Sequence, residues 1–158
     1  MKLRKPDLLT VDFRRELADE FSYLTDGETP YLAFKCKAGG YLNPQLQESI
    51  ENIRLRRKMA RLDFVDLPRD EQVAKSDSLD RELGRARFES LYDYCVDSWE
   101  TNFIDDETGN PITPTRESFM LLADAEVPGI AAVLLELASY VEKSSNFIRK
   151  IDEESEKN

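Results

Sequence analysis

Between residues 31 and 37 apolar and polar side chains alternate. Leu32, Phe34 and Cys36 fall on one face, and Ala33, Lys35 and Lys37 on the other. A period of two predicts a strand with one buried side. Asp26-Gly27 just before it is a turn dipeptide, because glycine accepts positive φ and aspartate bonds to its own backbone. The partner strand is either the FSYL run at 21–24 or a piece near 8–13, and DFRRELADEF also reads as a short helix. Two or three strands rarely stand alone in water, so helices must cover them.

After Gly40 the period changes. Asn43-Pro44 opens a helix, with Asn as the N-cap and Pro in the first turn, where its missing N–H has no partner to lose. Leu46, Ile50, Ile53 and Leu62 trace its apolar stripe, with Met59 and Ala60 nearby, and Leu67-Pro68 ends it. From Leu79 a longer helix runs through Leu83, Ala86, Leu91 and Cys95 to Trp99 at spacings of three and four. Gly84 weakens that helix by up to about 1 kcal/mol relative to Ala, and points to close packing between helices. Residues 108–111 form a turn, and Thr113 or Thr115 caps a short helix bearing Phe119, Leu121 and Leu122. Pro128 opens the last helix, whose apolar face runs from Ile130 through Leu134, Leu137, Val141 and Phe147 to Ile151. The expected fold is α+β and mostly helical. A small antiparallel sheet in the N-terminal segment 1–42 packs as one domain with about four helices in 43–152, and 153–158 is a polar tail.

Composition narrows the function. Lys and Arg number 22 against 32 Asp and Glu, giving a net charge of −10. Such a charge argues against non-specific nucleic-acid binding and against an acidic membrane surface. The chain has no histidine, which removes the commonest general base and a principal zinc ligand. Its two cysteines, Cys36 and Cys95, are too few for a thiolate metal cluster or a disulfide framework. They read as reduced, buried small hydrophobes. MKLRKPDLL lacks the apolar run of a signal peptide. The longest apolar stretch, around Ile130 and Leu135, falls far short of the roughly 18 residues of a spanning helix. A soluble, cytosolic protein is expected.

No constellation points to an enzyme. Aligned with a calcium loop starting at Asp105, the glycine falls one place early and the twelfth position is Arg116 instead of Glu. No phosphate-binding glycine motif or zinc spacing occurs, and no catalytic residue, metal or cofactor is expected. Two features point instead to partners. Arg54, Arg56, Arg57, Lys58 and Arg61 crowd the end of the first long helix. They are expected to face the acidic residues between Asp63 and Glu82, the alternative being a site for an acidic peptide. Phe119, Met120, Leu121 and Leu122 are consecutive, so a helix must turn some of them away from any one core. Leu134 and Leu135 pose the same problem. The candidate partner-binding residues are Trp99, Phe119, Leu122, Leu135, Arg54 and Arg57, with Trp99 also readable as core.

The stretch from Cys95 to Phe147 resembles the C-terminal half of the tail assembly chaperones of long-tailed bacteriophages. The matching elements are Trp99, the acidic turn Asp105-Asp106-Glu107 with Gly109, Pro111-Ile112, Thr115-Arg116-Glu117 and Ser145-Asn146-Phe147. GGYLNP at 39–44 is similar to that family's strand-to-helix junction, whereas the arginine-rich run departs from it. The resemblance implies a non-enzymatic protein of the host cytoplasm that binds the tape measure protein while tail tube protein polymerises around it, and that is absent from the mature virion. The surplus apolar surface on the last two helices separately allows a homo-oligomer. The alternative is a structural tail, neck or adaptor protein that stays in the particle.

Overall fold

The computed structural model describes residues 1–149. Three strands form one antiparallel sheet in the order β1-β2-β3: β1 is Val11–Glu16, β2 is Tyr31–Cys36 and β3 is Val96–Thr101. Four α-helices accompany them among the described residues: α1 at Pro44–Phe64, α2 at Arg69–Cys95, α3 at Arg116–Asp124 and α4 at Pro128–Glu142. The expected class is therefore observed, an α+β chain dominated by helix around a small antiparallel sheet.

β2 is the central strand, and its predicted alternation is real: Leu32, Phe34 and Cys36 are buried and Lys35 is exposed. Its first partner is β1, which overlaps the expected piece near 8–13 and runs on through Glu16, so the start of DFRRELADEF is strand and not helix, while the FSYL run belongs to a 3-10 turn over Asp19–Leu24. Its second partner was not expected. The long helix stops at Cys95, and the chain continues as β3, so Trp99 lies on a strand and not at the end of a helix. A spacing of four satisfies both periods, which is why Leu91, Cys95 and Trp99 read as one helical face. Pairing decides between them: β2 has a free edge, and β3 fills it from Leu32↔Thr101 to Cys36↔Val96. Phe13, Phe34 and Trp99 thus stand in one row across the sheet.

That row packs under the last two helices. Phe34 and Trp99 stack with ring centroids 6.1 Å apart, and Phe119 from α3 meets both edge-on. Ile130, Val133, Leu134, Leu137 and Val141 of α4 complete the buried core. The chain leaves α4 at Glu142, and Phe147 reaches the core from beyond a 3-10 turn at Ser144–Asn146. Ile151 and the polar tail lie outside the described residues.

α1 and α2 form an antiparallel hairpin turning at Leu67-Pro68. α2 begins at Arg69, ten residues before Leu79, because its first turns carry the acidic Asp70 and Glu71 but almost no apolar stripe. Buried and half-buried positions recur at Leu46, Ile50, Ile53, Arg57, Ala60 and Phe64 on α1, and at Gln72, Ser76, Leu79, Leu83, Ala86 and Ser90 on α2. Alternating steps of four and three are those of a coiled-coil seam. Only the base of this hairpin joins the main core, through Leu46, Ile50, Phe88, Leu91 and Cys95. The remainder projects as an arm. Within it Leu83 is buried, and the other seam residues are half-covered or polar.

Candidate functional site: an apolar groove and an exposed helical arm

A groove of about 280 Å³ runs where α4 passes the base of the hairpin. Leu46 and Ile50 of α1 and Gly84, Phe88 and Leu91 of α2 form one side; Leu135, Ala138 and Ser139 of α4 form the other. Arg87 and Glu142 close one edge with an ion pair at 3.0 Å. The groove exists because two apolar faces diverge. α4 is apolar nearly all round, so Ile130, Leu134 and Leu137 enter the core while Leu135 stays 61% exposed. Leu135 also borders an open hollow with Phe13, Arg15, Glu136 and Tyr140.

Gly84 gives this groove its depth. It lies mid-helix, where glycine is unfavourable, yet no described residue crowds the place its side chain would take. A Cβ added there would meet nothing within 4 Å. The close packing expected at Gly84 is thus not made by any described part of the molecule, and the opening faces outward.

The six candidate partner residues separate into interior and surface. Trp99, Phe119 and Leu122 are buried at 5%, 0% and 8% exposure, so in the folded chain they present no surface. Trp99 also donates from its indole Nε1 to the Thr115 carbonyl at 3.1 Å, fastening the 102–115 loop to the sheet. Leu121, not Leu122, is the member of the FMLL run that turns outward. Arg57 sits in the hairpin seam, 3.6 Å from Asp80, and its Nε has no hydrogen-bond acceptor. Arg54 is exposed beside Glu51. Leu135 alone among the apolar candidates is available at the surface. Phe88, Leu91 and Ala138 were not foreseen as groove residues, although the mid-helix glycine marked the place.

Of the five cations expected to face the acidic segment, only Arg56, paired with Glu82, and Arg57, paired with Asp80, do so among the described residues. Those acids lie in the middle of α2, since the hairpin's antiparallel register sets positions 56–57 opposite 80–82. The acidic loop after β3 is closed on itself. The Asp105 carboxylate accepts from the Glu107 N–H at 3.0 Å, and Gly109 takes the positive φ of 71° that the turn requires. Among the described residues no group of three or more His, Cys, Asp or Glu is arranged to hold a metal ion. No single helix there is long and apolar enough to cross a membrane.

Both thiols are buried. Desolvation pushes Cys36 up to about 12. Burial likewise raises Cys95 to about 11, against the opposing hydrogen bond from Asn43. Thiols held neutral in this way are poor nucleophiles at pH 7.

Comparison with known proteins returns no matching family model, no matching curated protein and no matching solved structure.

Proposed function

We propose that this chain is a non-enzymatic assembly factor that holds an apolar helical segment of a larger client in the groove between α2 and α4. The observation carrying this reading is the groove floor: a helix glycine that no described neighbour approaches, set between Phe88, Leu91 and the exposed Leu135. A bulky apolar side chain on a client helix fits such an opening, and helix-in-groove capture is a recurrent mode of recognition. The charge of −10 supports the same role, because it keeps a complex with an otherwise insoluble client apart from its neighbours.

The resemblance to tail assembly chaperones names the client as the tape measure protein, with tail tube protein as the next component of the assembly. On this reading the protein acts in the host cytoplasm and leaves before the particle is complete. Co-expression with the tape measure protein is the direct test. Wild-type chain is expected to keep the client soluble and to co-purify with it. Gly84→Leu fills the groove from its floor and is expected to abolish co-purification while the chain stays folded. Unimpaired capture by folded Gly84→Leu would reject the groove. Mass spectrometry of purified particles separates the alternative role, since a component that stays in the particle would be found there.

A further inference from the structure

The arm carries a second surface, independent of the groove. On α1, Leu55, Met59 and Leu62 follow one another at steps of four and three, and they are 48%, 66% and 69% exposed. They form a row on the side of the helix facing away from the seam residues Ile53, Arg57 and Ala60. Between the seam and this row runs a third: Arg54, Lys58 and Arg61, again at steps of four and three. Each cation precedes its apolar neighbour by one residue, so the cationic row runs parallel to the apolar row, about 100° round the helix from it, over roughly two and a half turns.

The cations of this row are not consumed by the fold. Arg56 and Arg57 pair with α2, but Lys58 and Arg61 have no ion pair among the described residues. Arg54 reaches only Glu51 at 3.5 Å, with 73% of its side chain exposed. A contiguous apolar row with a matching cationic row has an evident complement.

We infer that the outer face of α1 is a docking surface for an acidic amphipathic helix, whose apolar row covers Leu55, Met59 and Leu62 and whose carboxylates meet Arg54, Lys58 and Arg61. Charge decides the occupant. A second copy pairing antiparallel through the same stripe would set one cationic row along the other, a repulsive arrangement. Nucleic acid would leave the apolar row uncovered and would approach a chain of net charge −10. An acidic helix satisfies both rows, and the local cations act on it within a Debye length of about 8 Å.

The test uses the full chain and a labelled synthetic helix bearing Leu at steps of four and three beside a row of Glu. Its twin carries Lys in place of Glu. The acidic peptide is expected to bind one to one, more weakly as salt is raised, and the lysine twin is not. Lys58→Glu with Arg61→Glu, and separately Met59→Ser with Leu62→Ser, should each weaken binding by about tenfold or more. All four side chains are exposed, and circular dichroism checks that both variants fold. Equal binding of the two peptides, or undiminished binding by either folded double variant, would overturn the inference. So would a dimer of the free chain that Met59→Ser with Leu62→Ser dissolves. Binding of single-stranded DNA that depends on Lys58 and Arg61 but not on Met59 and Leu62 would overturn it as well. The groove beside Gly84 is intact in both variants, so client capture and peptide binding stand or fall separately.

Discussion

Asn43 connects three parts of the chain through one amide. Its Oδ1 accepts from the Leu46 N–H and caps α1, while its Nδ2 donates to the carbonyls of Ala38 and Tyr94, each at 3.0 Å. Loss of a cap alone costs about 1 kcal/mol, and two carbonyls would also lose their donor. Asn43→Ala is expected to lower unfolding free energy by roughly 2–3 kcal/mol, measured by urea denaturation. Gly40 stands three residues earlier at φ 59°, and a Cβ there would lie 2.7 Å from the Glu142 carbonyl oxygen. Gly40→Ala combines a left-handed backbone with a backbone clash and should cost about 2 kcal/mol or more. The thiols make a pH prediction. Their folded pKa values, about 12 for Cys36 and about 11 for Cys95, lie above the ordinary value near 9. The unfolded chain therefore loses these protons first. Stability contributed by the two thiols is fully present below pH 9 and falls as pH climbs toward 11 and 12. Replacing both by Ala should flatten that alkaline decline, and native thiols should resist alkylation at pH 8 until the chain is unfolded.

At the scale of elements, α3 and α4 each have an inner and an outer leucine, and substitution distinguishes them. Leu122→Asp puts a carboxylate into the buried core and should destabilise by about 3 kcal/mol or more. Leu135→Asp leaves it in water and should change stability by less than about 1 kcal/mol. The α1–α2 hairpin differs along its length. Its base is held by Leu46, Leu91 and the Ser49–Ser90 hydroxyl pair at 2.5 Å. Its middle is held by the exposed ion pairs Arg56–Glu82 and Arg57–Asp80, worth roughly 0.2–1 kcal/mol each, and its tip by Gln72, which donates to the carbonyls of Val65 and Leu67. Amide hydrogen exchange should therefore be slowest around Leu91 and quicken steadily toward Phe64 and Gln72. Uniform protection along both helices would contradict this gradient.

At the scale of the whole molecule, sheet, α3, α4 and the hairpin base share one core, to which no described residue from 51 to 87 belongs. The arm is therefore expected to be dispensable for folding. Excising 57–63 from α1 together with 74–80 from α2 removes one heptad from each side of the antiparallel seam and keeps the tip. The shortened chain is expected to retain its near-UV circular dichroism and to melt within about 5 °C of the wild type, with Met59, Lys58, Arg61 and Leu62 gone. A large loss of melting temperature would mean that the arm supports the core after all.

Local pattern by itself determined the class, the β2 strand, the Asn43-Pro44 helix start, the Pro128 start and the four helices, because each rests on periodicity or on a cap within a few residues. It also exposed the mid-helix glycine and the basic run. Tertiary structure alone decided what the pattern left degenerate. A spacing of four fits helix and strand alike, so only the free edge of β2 could turn Val96–Thr101 into a strand and bring Trp99 into the core. Phe119 and Leu122 differ from Leu121 only in rotation about α3, and the direction of the core fixes that angle. The same holds for Leu135 beside Leu134. The groove at Gly84 and the outward row on α1 lie at the limits of what one chain can cover, and no residue's identity states where its neighbours will stop.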